Sequence, residues 1–242
     1  MSKVYADKIE PRASNADITL GASGQTVTIT GNDIRVNTLK DSGGNTLFTS
    51  DGAGNITSSN SAFQSNMRLL QTQIGQNVTQ IDFTGIDSTY DVYCFKLINV
   101  QQEGRRDPEL EINGSTNNGE YFGISKTTTF FEAYHREDDS STANVAYDSS
   151  HDLSNSVSGQ PISTNLEHRP SSTVSGELWL FGPSSNFTTQ FYGTFQTCSG
   201  HSTLALNTYP AGYFNTTTPI NAISFKTSAA NIKGIIKMYG LL

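Results

Sequence analysis

The sequence predicts an all-β protein, an extended N-terminal β segment followed by an antiparallel, jelly-roll-like β-sandwich. Three observations carry this expectation. Short runs of alternating apolar and polar residues recur along the chain, the period of two that half-buried strands require. Clusters of Gly, Pro, Asn, Asp and Ser separate those runs and supply tight turns. The composition is polar without being highly charged: 35% hydrophobic, 15% charged and 10% aromatic, with 13 Phe and 10 Tyr. Disordered chains combine low hydrophobicity with high charge and few aromatics, so this balance favours pleated surfaces instead.

In chain order, residues 1–60 form a ladder of short apolar pairs: Ile18 and Leu20, Val27 and Ile29, Ile34 and Val36, Leu47 and Phe48, then Ile56. Turn clusters such as Asp41-Ser42-Gly43-Gly44 and Asp51-Gly52-Ala53-Gly54 divide them. Strands so short, with so few large side chains, cannot enclose a core of their own. They read as an attachment or shaft segment completed by neighbouring chains, or else as a disordered tether. A Ser/Asn-rich stretch follows, and residues 61–66 are taken as the linker.

Residues 67–242 carry the sandwich. Strands are expected over 67–73, 78–83, 91–100, 110–112, 129–135, 178–181, 187–197, 222–227 and 232–239. The stretch 67–78 also offers a helical spacing through Met67, Leu70, Ile74 and Val78, but Thr72, Gly75 and Asn77 favour a strand. Residues 136–175, poor in large apolar side chains, are expected to form a long surface loop or edge region. In Tyr209-Pro210-Ala211-Gly212-Tyr213-Phe214, Pro and Gly argue against a central strand and suggest a cap at one end.

Charge and cysteine usage exclude several functions. A net charge of -7, with no basic cluster beyond Arg105-Arg106, leaves no phosphate-binding stripe. No apolar run is long enough for a spanning helix, and the N-terminal residues lack the apolar segment of a secretory signal. Neither nucleic acid nor membrane is therefore an expected partner. Cys94 and Cys198, each beside aromatics, read as buried free thiols, with a single bridge as the alternative.

Catalytic frames are missing. The His135–Asp139 cluster lacks the ligand spacing of a calcium loop and reads as a solvated turn. His151-Asp152 and Glu167-His168-Arg169 place imidazoles near acids, but no Ser sits in a nucleophile elbow. No pair of carboxylates is singled out for glycoside hydrolysis. The expectation is a non-enzymatic protein with no cofactor and no metal. The aromatic residues Trp179, Tyr209, Tyr213 and Phe214 are the candidates for a ligand or subunit-interface surface. Leu178 and Leu180 alternate with Trp179 and Phe181, which suggests a strand packed on both faces.

Several segments resemble structural proteins of marine bacteriophages, including those infecting cyanobacteria. These are SNMRLLQTQ at 65–73, FTGIDSTYDVYCFKLIN at 83–99, TANVAYD at 142–148, GELWLFGPSS at 176–185, AGYFNTTTPI at 211–220 and IKGIIKMYGL at 232–241. The opening KVYADKIEP at 3–11 is similar to the starts of phage tail and fibre proteins. The resemblance implies a virion structural protein without catalytic residues, assembled in the host cytoplasm. A homotrimeric tail or head appendage is the first expectation, attached to other virion proteins through residues 1–60. A capsid decoration protein and a host-glycan-binding tip module are the alternatives.

Overall fold

The computed structural model describes residues 36–59, 66–104, 108–138, 143–199 and 203–241. Residues 1–35 and 60–65, and with them most of the predicted N-terminal ladder and linker, lie outside the described residues, as do Arg105, Arg106 and Asp139. The described residues contain fifteen strands and no helix. The chain divides into two compact units, 1–63 and 64–242.

In the first unit, β1 (Thr38–Lys40), β2 (Thr46–Ser50) and β3 (Ile56–Ser59) form an antiparallel meander. Its two turns use the same device ten residues apart. The Asp41 carboxylate accepts the backbone N–H groups of Gly43 (2.9 Å) and Asn45 (2.8 Å) and the Asn45 side-chain amide (3.0 Å). Asp51 does the same for Ala53 (2.7 Å), Asn55 (3.1 Å) and the Asn55 amide (2.7 Å). The side chain thereby replaces the strand ladder as acceptor where the backbone reverses. None of residues 36–57 is buried, and Val36, Leu39 and Ile56 are exposed. The sheet is held by turns and ladder bonds, without a core of its own.

The second unit is a sandwich of unequal layers. The large sheet has eight strands in the order β4-β15-β6-β11-β12-β13-β8-β9. They are β4 (Met67–Val78), β15 (Asn231–Leu241), β6 (Val92–Glu103), β11 (Thr173–Phe181), β12 (Gln190–Ser199), β13 (Leu204–Phe214), β8 (Lys126–Arg136) and β9 (Asn144–Tyr147). The small sheet is β10 (Gln160–Ser163), β7 (Leu110–Ser115), β14 (Ala222–Thr227) and β5 (Gln80–Thr84), in that order. Every pairing is antiparallel. Alternate residues of both sheets meet in one core, including Phe95, Leu97, Leu178 and Leu180 from the large sheet and Phe83, Ile112, Ile223 and Phe225 from the small. At its centre Phe95 lies 5.3 Å from Phe83 and 5.5 Å from Phe225, ring to ring.

The nine expected strands all exist, and residues 67–78 are a strand throughout. Two expectations need correction, the first only in part. Residues 136–175 are the expected edge region and not a long surface loop: they carry two edge strands, β9 and β10, and the start of β11. Gln160, Pro161, Ile162 and Ser163 are all buried. As the edge strand of the small sheet, β10 lies over β12 and β13 of the large one, where Ile162 joins the core and polar contacts hold its neighbours. Ser163 Oγ and Thr197 Oγ1 bond at 2.6 Å, Thr208 Oγ1 donates to the Ile162 carbonyl at 2.6 Å, and Thr128 Oγ1 donates to Gln160 at 2.5 Å. Satisfied hydroxyls make such burial affordable, and they look like loop residues in the sequence.

The second correction concerns Tyr209–Phe214, which is no end cap. It lies inside β13, a strand flanked on both sides by β12 and β8. Pairing with β8 is continuous from Leu204 to Phe214, whereas the ladder to β12 lacks pairs at Tyr209 and Pro210. The proline, which has no N–H to give, sits where that ladder is interrupted. Gly212 is there for space: a Cβ would come within 2.5 Å of the Thr127 carbonyl oxygen.

Candidate interaction face

Alternation along each strand of the large sheet sends one set of side chains into the core and the other to its outer face. Cross-strand register then assembles the outward set into rows. One row reads Leu69, Tyr239, Cys94, Trp179, Tyr192, Ala211 and Thr129. The next holds Lys237, Lys96 and Glu177 on one side and Tyr209, Phe131 and Tyr147 on the other. Beyond it lie Ile74 with Ile235, then Ile98, and at the far edge Ala133 with Val145.

Trp179 is half-buried on this face. Its neighbours Leu178 and Leu180 are fully buried in the core, so the strand is packed on one side and the doubly packed reading is corrected. Phe181 and Tyr192 stack at 5.6 Å and 22°. Tyr209 stacks on Phe131 at 4.7 Å and 14°, and Tyr213 is exposed. Phe214 is different. It has the opposite parity, is fully buried, and packs 5.4 Å from Phe191, so it belongs to the core and not to any ligand or interface surface. Tyr192, Phe131, Tyr147, Ile98 and Ile74 were not singled out in the sequence. Alternation alone does not tell which face of a strand is covered, and strand order is needed to bring these residues together.

Lys237, Lys96 and Glu177 stand side by side in one row, and Lys96 Nζ lies 3.9 Å from Glu177 Oε2 and 6.0 Å from the Tyr239 ring centre. Cys94, between Tyr239 and Trp179 in register, is fully buried, and burial pushes its thiol up to about 12. Cys198, in contrast, is exposed, which corrects the expectation of two buried thiols; both are free.

The remaining histidine clusters hold the fold together. His151 faces Asp148 through Nδ1 (2.6 Å) and Glu109 through Nε2 (3.0 Å), tying the turn after β9 to the approach to β7. Asp152, its sequence neighbour, instead accepts from the Tyr147 hydroxyl at 2.5 Å. Glu167 is buried and accepts from Ser199 Oγ at 2.9 Å. The Arg169 Nε lies 3.5 Å from its other oxygen.

The chain was compared with protein-family models, curated proteins and solved structures, and none of them matches it.

Proposed function

We propose that this chain is a non-enzymatic structural subunit of a bacteriophage particle, a homotrimeric tail or head appendage assembled in the host cytoplasm. The observation that carries the reading is a β meander in which no residue from 36 to 57 is buried, in contrast to the full core of the second unit. A sheet fixed by Asp-centred turns but lacking buried side chains gains stability when identical chains or a virion surface cover it. The resemblance of the segments between 65 and 241 to phage structural proteins points the same way. In this reading residues 1–60 engage other virion proteins, and the sandwich projects.

Labelling the subunit and imaging intact particles tests the assignment. Labels on the tail or at a single head vertex, in a few dozen copies or fewer, support the appendage. Label in hundreds of copies spread over the capsid would assign the chain to the alternative role of decoration protein. Absence from purified particles would sink both. The stacked Tyr209–Phe131 pair also favours a second reading, a tip that stacks sugar rings of a host glycan. A glycan array without hits would remove it.

A further inference from the structure

The outer face of the large sheet is not level. Towards the β9 edge, small side chains adjoin across neighbouring strands. Ala133 of β8 is in register with Asn207 of β13 and Val145 of β9, and Ala205 of β13 with His135 of β8. A hollow of about 440 Å³ results, within the size range of small-ligand sites. Ala133, Ala143 and Ala205 give it an apolar lining, and Asn207, Gln196 and Asn144 bring amides to it. Among its described lining residues there is no carboxylate, lysine or arginine. One row further along the strands, about 7 Å away by residue spacing, stand Tyr209, stacked on Phe131, and Tyr147.

Asn207 is the residue that needs an explanation. Its Oδ1 is buried and accepts no hydrogen bond, although buried polar groups are nearly always paired. The same residue lines the hollow. The terminal amide torsion of asparagine is broad, so a rotation of that group brings the oxygen to a hydroxyl entering from outside. We infer that this hollow is a subsite for a neutral sugar residue, with Asn207 Oδ1 accepting one of its hydroxyls. The inference rests on the glycan-stacking reading of the Tyr209–Phe131 pair and adds the place and charge class of the ligand. A sugar ring presents hydroxyl donors beside an apolar C–H face. That combination matches an unpaired acceptor set among alanines, one row from stacked aromatic rings. The amides of Gln196 and Asn144 can both donate and accept, and Gln196 is held in place through its Nε2, which donates to the Thr197 carbonyl at 3.1 Å. With no lysine or arginine in the lining, an acidic sugar or a phosphate would be left without a charge-assisted partner.

The intact chain is tested on an array that carries neutral and acidic glycans side by side. The expected hits are neutral. Asn207→Leu removes the acceptor at similar volume, and Ala205→Leu fills the hollow from an exposed position. Each should weaken those hits by about tenfold or more, as losing a hydrogen bond built for the ligand, or the room for it, does. Asn207→Leu should leave the melting temperature unchanged or raise it, because an apolar group then replaces a buried unpaired acceptor. Neutral hits that survive either variant in a folded chain overturn the subsite. If the same hits vanish in Tyr209→Ala, the stacking reading stands without it. Hits confined to acidic glycans also overturn the subsite and leave the stacking reading in place. An array with no hits overturns both. Should Asn207→Leu not fold, Ala205→Leu decides alone.

Discussion

Lys126 is fully buried at the start of β8, where its Nζ donates to the Ser158 carbonyl at 2.6 Å. Burial lowers its ammonium from 10.5 to about 8, partly offset by the nearby Glu111 carboxylate. With the folded value below the unfolded one, the unfolded chain keeps a proton between pH 8 and 10.5 that the folded chain has released. Stability from this group therefore rises with pH across that window. Compared with Lys126→Met, the parent should gain about 3 kcal/mol between neutral pH and the top of the window, measured by urea unfolding at a series of pH values. The thiols offer a second test at this scale. Cys198 is exposed and Cys94 is buried, so Ellman's reagent should titrate a single thiol in the native chain and both in denaturant. Cys94 should react only as fast as the sandwich opens.

For the strands, close approach decides where glycine is required. Strand β13 passes β8 so closely at Gly212 that a Cβ would stand 2.5 Å from the Thr127 carbonyl oxygen and 2.9 Å from Thr128 Cα. Both are backbone atoms and cannot swing aside. Gly212→Ala should destabilise the sandwich by about 2 kcal/mol or more, read as a lower melting temperature. Gly240 has a related role. A Cβ there would come within 2.4 Å of the Tyr90 ring. The glycine leaves room for that ring, which packs edge-on against Tyr93 at 5.9 Å. Tyr93 in turn donates its hydroxyl to the Asp87 carbonyl at 2.9 Å and accepts the Asp87 N–H at 3.0 Å, fixing the turn that feeds β6.

At the scale of the molecule, a trio of rings joins the layers, with Phe95 of the large sheet against Phe83 and Phe225 of the small one. Phe225 of the small sheet touches Phe83 at 6.0 Å beside it and Phe95 at 5.5 Å across the core. Phe225→Ala should cost about 4 kcal/mol, the transfer loss plus the cavity left between sheets that cannot collapse onto each other, measured by denaturant unfolding with an unchanged m-value.

The sequence by itself determined that the chain is all-β and where nine of its strands lie, while for residues 1–60 it left short strands and a disordered tether open. Those properties are local. Alternation, turn chemistry and the count of large side chains are all readable within a dozen residues. Tertiary structure alone decided which strands are neighbours, and every correction follows from that. Pro210 is tolerated inside the sheet because the ladder to β12 is interrupted there. The polar 160–163 segment is buried because Thr128, Thr197 and Thr208 lie across from it with hydroxyls to share. Phe214 enters the core while Tyr213 faces out, since adjacent strand residues point to opposite faces and only the second layer shows which face is covered. The aromatic face was legible only in part, through Trp179, Tyr209 and Tyr213. It became a surface only when the order of eight strands placed Trp179, Tyr192, Tyr209 and Phe131 side by side.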